Sequence, residues 1–210
     1  MNISRLRFVM LVLCCGLMVL WAGCTRNIQV SMNLPIQNPP MKKIAKKVLV
    51  VMRREQAESV ILEKPGAMSD NFRIEAGSSI SSNVVTAMNA LFESADFSHE
   101  YPREDYSHDA YVLVSFKSHH IEWGSTAFSP VNMNVYIDYQ LLDKARRKEL
   151  AVSTDGSSAW RRTGGEAAAV INPFVSILLT DSSLGRAWDQ AVANSISQWV
   201  HELQKYNQNN

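Results

Sequence analysis

Between Met133 and Leu142 the chain alternates. Met133, Val135, Ile137, Tyr139 and Leu141 fall on one parity, and Asn134, Tyr136, Asp138, Gln140 and Leu142 on the other. Successive side chains of a strand point to opposite faces, so this segment is a strand with one face buried. The polar run Asp143 to Lys148 turns the chain round, and Leu150, Val152 and Thr154 begin a return strand that continues toward Trp160. The two form an antiparallel hairpin whose apolar face requires a covering layer.

Two helical stripes provide that layer. After Gly77, Ile80, Val84, Val85, Met88, Leu91 and Phe92 recur at helical spacing, with Ser78 and Ser79 expected to cap the first amides. A second stripe runs through Leu184, Ala187, Trp188, Ala191, Val192, Ile196, Trp199, Val200 and Leu203, with its cap expected at Thr180 to Ser183. Trp188 and Trp199 lie on this stripe and are expected in the core. Val48 to Met52 and Tyr111 to Phe116 are short apolar runs, read as strands covered on both faces. Phe72 to Ile74 adds a short strand after an excursion at Pro65-Gly66, and 98–109, with Pro102, reads as a loop. The order strand, helix, strands, helix predicts an α+β fold: an antiparallel or mixed sheet with two main helices packed on one face.

Upstream of this domain, Arg5 and Arg7 precede an uncharged stretch from Phe8 to Trp21, which ends in Ala22-Gly23-Cys24. A basic start, a short apolar segment and small residues before a cut describe a secretory signal. The stretch is shorter than the ~20 apolar residues of a spanning helix. The small-small-Cys ending resembles the lipobox of bacterial lipoproteins. The resemblance implies diacylation of the Cys24 thiol, cleavage before it, acylation of the new amine and attachment to a membrane through Cys24. Thr25, rather than Asp, follows the cysteine; by the sorting rule of these lipoproteins this implies the periplasmic face of the outer membrane.

Residues 25–41 contain Pro35, Pro39 and Pro40 among Asn and Gln, which disfavours regular structure and predicts a semi-extended linker. The basic cluster Lys42, Lys43, Lys46 and Lys47 then leads into the first strand. The expected organisation is 1–23 signal peptide, 24–46 lipidated cysteine and linker, 47–205 α+β domain, and 206–210 a polar frayed tail.

The three cysteines, at 14, 15 and 24, all lie within or at the end of the signal. The folded part therefore has no disulfide, no Cys-based zinc site and no Cys nucleophile. Lys and Arg number 21 against 20 Asp and Glu, which leaves no electrostatic footprint for nucleic acid. His119, His120 and Glu122 are the tightest metal-capable cluster. On a strand only His120 and Glu122 share a face, short of the three or four converging ligands zinc needs, so neither metal nor cofactor is expected. Ser107-His108-Asp109 is adjacency rather than triad geometry, and no Gly-x-Ser-x-Gly elbow occurs. Gly77-Ser78-Ser79 and Gly164-Gly165-Glu166 lack the Lys-Ser/Thr ending of a phosphate loop. No catalytic residue is predicted, and the chain is not expected to be an enzyme.

Candidate binding residues are aromatic and aliphatic. Trp123 beside Gly124 and Trp160 before Arg161-Arg162 sit in less regular segments, where aromatics anchor partners or stack on sugars. Residues 167–179 are apolar without clear periodicity. Pro173 is expected to interrupt any helix there, leaving Phe174 and Leu178 partly exposed as contacts for lipid or a partner protein.

Cys24-Thr25, Ile28-Gln29-Val30 leading to Leu34-Pro35, the strand Val48 to Met52, the helix from Gly77 and the closing helix from Leu184 together resemble small outer-membrane lipoproteins of Gram-negative bacteria, in particular the YajG-like group. The arrangement is also similar to that of the LptE plug lipoproteins of the lipopolysaccharide translocon. The resemblance implies an α+β sandwich with two helices on a sheet and no catalytic residues. The expected function is that of a lipid-anchored periplasmic accessory lipoprotein binding a partner in an outer-membrane or envelope assembly. The alternative is a lipid-, glycan- or peptidoglycan-binding module using Trp123, Trp160 and the 170–179 segment.

Overall fold

The structure, a computed structural model, describes residues 25–35, 43–64, 71–102, 107–123, 130–160 and 173–209; the side chains of Trp160, of 173–183 and of Asn209 fall outside that description. Among the described residues there are eight strands: β1 (Thr25–Ile28), β2 (Ile44–Val51), β3 (Ile61–Glu63), β4 (Asn71–Ile74), β5 (Phe92–Ser98), β6 (Ala110–Glu122), β7 (Val131–Asp143) and β8 (Lys148–Trp160). Three helices accompany them: α1 (Arg54–Ala57), α2 (Ala76–Leu91) and α3 (Pro173–Asn209). The fold is α+β with two mixed sheets. The larger has the order β5-β2-β6-β7-β8, with β2 parallel to both β5 and β6 and the β6-β7-β8 meander antiparallel. The smaller has the order β1-β4-β3, with β1 parallel and β3 antiparallel to β4.

The alternation in β7 appears as read: Val131, Met133, Val135, Ile137, Tyr139 and Leu141 are buried, and the opposite parity is largely half-buried. Their side chains join one core cluster with Val48, Val50 and Met52, Val112 and Val114, and the stripes of α2 and α3. Trp188 and Trp199 are completely buried, and Tyr139 stacks on Trp199 with centroids 5.2 Å apart. The other parity of β2 and β6 contributes Leu49, Val51 and Tyr111 to a smaller cluster with Leu142. Both strands are thus covered on two faces where they are most apolar.

Helix α3 lies close on β8. A Cβ at Gly156 would stand 2.0 Å from the Ala191 carbonyl oxygen, so only glycine permits the crossing. Polar groups trapped there satisfy one another. Thr154 Oγ1 donates to the Ile137 carbonyl at 3.0 Å, and the Ser195 hydroxyl lies 2.6 Å from Thr154 Oγ1 and 3.2 Å from the Tyr139 hydroxyl. Burial holds the Tyr139 phenol well above its usual range.

Several elements differ from expectation. Helix α3 begins at Pro173 rather than at a Thr180–Ser183 cap. At the first helical position proline's missing N–H costs no bond and its fixed φ suits the helix, so Pro173 starts the element it was expected to interrupt. The helix also runs to Asn209, through most of the expected tail, and Tyr206 packs against the core. Helix α2 begins at Ala76, with no side-chain cap bond; Ser78 Oγ donates instead to the Glu75 carbonyl. Strand β5 was unforeseen, and β6 extends through the histidines to Glu122. Phe72 to Ile74 forms most of β4 as read, while Pro65-Gly66 lies outside the described residues.

Candidate functional site

The segment read as a linker is part of the fold from Thr25 to Pro35. β1 is laddered to β4 from Thr25↔Asn71 to Ile28↔Ile74, and Ile28 is buried. The chain then forms a strap along the seam between α2 and α3. The Ser31 amide and hydroxyl donate to the two carboxylate oxygens of Asp189 at 2.8 and 2.6 Å. The Ser31 carbonyl accepts from Asn83 Nδ2 at 2.8 Å and from Ser79 Oγ at 3.3 Å, and Ser79 Oγ accepts in turn from Trp188 Nε1 at 3.1 Å. Ser82 donates to the Met32 carbonyl at 2.6 Å, and the Leu34 amide donates to Asn83 Oδ1 at 2.7 Å. Proline and asparagine report local preference only; a partner strand and two helices override it here. Cys24 lies outside the described residues, but the residue after it is the first residue of β1.

The face of the larger sheet that bears Leu113, Ser115 and Asp138 carries a depression of about 640 Å3. Its floor is Val51, Leu113 and Ser115, and its rim is Arg53, Gln56, His99, Tyr101, Lys117, Asp138 and Gln140. Gln56 Nε2 donates to Ser115 Oγ and to the Phe116 carbonyl, both at 3.2 Å, fixing α1 across the strand. Asp138 accepts from Ser153 Oγ at 2.6 Å and pairs with Lys117 Nζ at 3.1 Å; the serine bond first and Lys117 second hold its carboxyl below the usual range. Tyr101 packs at a 43° tilt on Tyr111 with centroids 4.8 Å apart and lies 4.6 Å beneath the Arg146 guanidinium. His99 Nδ1 is enclosed without a hydrogen-bond partner among the described residues. The site offers donors, one carboxylate and an apolar floor, a set suited to a polar polymer or a protein loop.

The candidate residues from sequence lie elsewhere. Trp123 follows β6, is half-buried and stacks on Phe72 with centroids 5.7 Å apart, joining the two sheets. The backbone of Trp160 pairs with Val131, and Glu122 pairs with Asn132, so Trp123 and Trp160 flank the start of β7. The Trp160 side chain lies outside the described residues, as do those of Phe174 and Leu178, whose backbones belong to α3. Among the described residues no group of three metal-capable side chains converges; His119 Nε2 instead contacts Glu63 Oε1 at 2.8 Å. The carboxylate facing His108 is Asp96, at 3.0 Å, and not Asp109, which accepts from the Lys47 amide.

No protein-family model and no curated protein matches the sequence. The fold is shared with a DUF330-family protein from Xanthomonas campestris, with a TM-score of 0.55, 11% identity, and coverage of 89% of this chain and 99% of that one. A minor lipoprotein from Acinetobacter baumannii has a TM-score of 0.34 at 9% identity over 75% of this chain and 96% of that one. The PelC dodecamer from Paraburkholderia phytofirmans has a TM-score of 0.32 at 15% identity over 73% and 93%. Likeness at these last two scores decides nothing about arrangement or function.

Proposed function

We propose that this chain is a lipid-anchored accessory lipoprotein of the periplasmic face of the outer membrane. Its α+β domain, with two main helices on one sheet face, binds a protein partner in an envelope assembly and carries no catalysis and no cofactor. The lipobox-like ending at Cys24, the Thr25 that follows it and the resemblance of the sequence to YajG-like and LptE-like lipoproteins support the location. The observation that carries partner binding is the depression between α1 and the larger sheet, with its mixed charge and its aromatic and aliphatic lining. Trp160, Phe174 and Leu178 are proposed as a second contact area, with Trp123 positioning the end of the sheet.

The test is affinity purification of the full, membrane-extracted protein and of an Arg53→Glu, Gln140→Arg variant. Both residues are on the rim and away from the core, so the melting temperature is expected to stay within a few degrees. One stoichiometric envelope protein that accompanies the wild type and leaves the variant supports the proposal; equal recovery with both removes the depression from it. The second reading, a glycan- or lipid-binding module, draws on Tyr101 beside amide and charged groups in the same depression. A ligand mass retained on the native protein, with no protein partner, favours it.

A further inference from the structure

We infer that the three-stranded sheet is the membrane-apposed side of the molecule, lying on phospholipid headgroups with Leu62 at the interface. The inference rests on acylation of Cys24. An acylated Cys24 sits at the boundary of the hydrocarbon, and the next Cα is about 3.8 Å away. That residue, Thr25, is already paired with Asn71 in the sheet. The strand that follows is fixed again at Ser31 by Asp189 on α3. The anchor therefore has no lever arm: the acyl chains position this sheet and not merely the tether. Neighbouring strands are about 4.8 Å apart and each residue advances about 3.3 Å, so β4 and β3 are held within about 15 Å of the anchor.

The surface presented there is unusual for water. Register places Asn27, Arg73 and Leu62 across from one another and hence on one face. Ile28, Ile61, Phe72 and Ile74 are buried on the opposite face, so the first face points outward. Leu62 is 67% exposed, the most exposed large apolar side chain among the described residues, and Val60, just before β3, is 38% exposed. Exposed Lys64, after β3, and Arg73, in β4, are nearby, Arg73 with Glu75 at 3.8 Å as its exposed, exchangeable partner. An outward leucine on an edge strand beside cations and next to a lipid anchor matches an interface where apolar groups enter and cations meet phosphate.

Every native cysteine lies at or before Cys24, so a cysteine introduced into the folded domain is the one free thiol of the lipidated protein. Leu62→Cys, Val60→Cys and, as the distant reference, Ala151→Cys are labelled with an environment-sensitive fluorophore. The full lipidated proteins are reconstituted in phosphatidylethanolamine–phosphatidylglycerol vesicles. Expected are quenching of the labels at 62 and 60 by headgroup-nitroxide lipid and several-fold protection from aqueous iodide relative to 151. Iodide quenching at 62 and 60 equal to that at 151, in protein that floats with the vesicles, overturns the inference. Protection from iodide without lipid quenching also overturns it, because protein then covers the face. Protein that does not float removes the acylation itself and the inference with it, and flotation reads that failure separately.

Discussion

Asp138 stands where the wet face of β7 meets the depression. Its carboxyl is stabilised in the charged form, first by the Ser153 hydroxyl and then by Lys117. A carboxylate whose folded pKa is depressed contributes stability that is fully present above the unfolded value of about 4 and is lost as pH falls through the folded one. Asp138→Asn is therefore expected to lower the urea midpoint at pH 7, with the difference from wild type closing below about pH 4; a gap independent of pH would show packing rather than charge. Trp188 tests a different effect. It is wholly buried and donates to Ser79, so Trp188→Ala is expected to cost roughly 3–5 kcal/mol in chemical denaturation. A change below about 1 kcal/mol would mean that the ring does not fill the core. At Cys24, substitution by Ala is expected to abolish labelling by a fatty-acid analogue and leave a longer, unprocessed chain. Labelling that persists ends the lipoprotein reading.

Elements were legible where one period governs many residues. β7 and the stripes of α2 and α3 repeat over two turns or more, and their burial follows the pattern. The strap was illegible because its partners are distant: Ser31 meets Asp189 across most of the chain, and no local signal marks either residue. β5 was missed because only Phe92 and Ala95 of its seven residues are buried, which breaks the alternation of an edge strand. Pro173 misled because the same residue that breaks a helix inside it begins one at its first position. The depression was invisible for the strap's reason, since α1, β2, β6, β7 and the 99–101 segment each contribute only one to four residues. If residues 25–35 were a tether, removing them would leave stability unchanged. As a strand and strap they are expected to be indispensable: their deletion should lower the melting temperature by well over 5 °C, and Asp189→Ala alone should cost about 1–3 kcal/mol. Scanning calorimetry of the two variants decides between the readings.

For the molecule as a whole, the bond between Ser31 and Asp189 spans 158 positions. The strap is thus among the first parts of the domain to be made and among the last to find its place. A chain that emerges amino end first has β1 and the strap exposed long before α3 exists to receive them, and contacts of such separation form late. The core has the same requirement, because the apolar face of β7 is covered by a helix that follows it. A chain ending before Leu184 is expected to stay unfolded, with proteolysis rates close to those in denaturant; resistance in such a fragment would show that the strands fold unaided. The fold therefore behaves like a clasp whose two halves sit at opposite ends of the ribbon. Until the last fifth of the sequence has appeared, the chain remains loose, and its final helix fastens both ends of the fold at once.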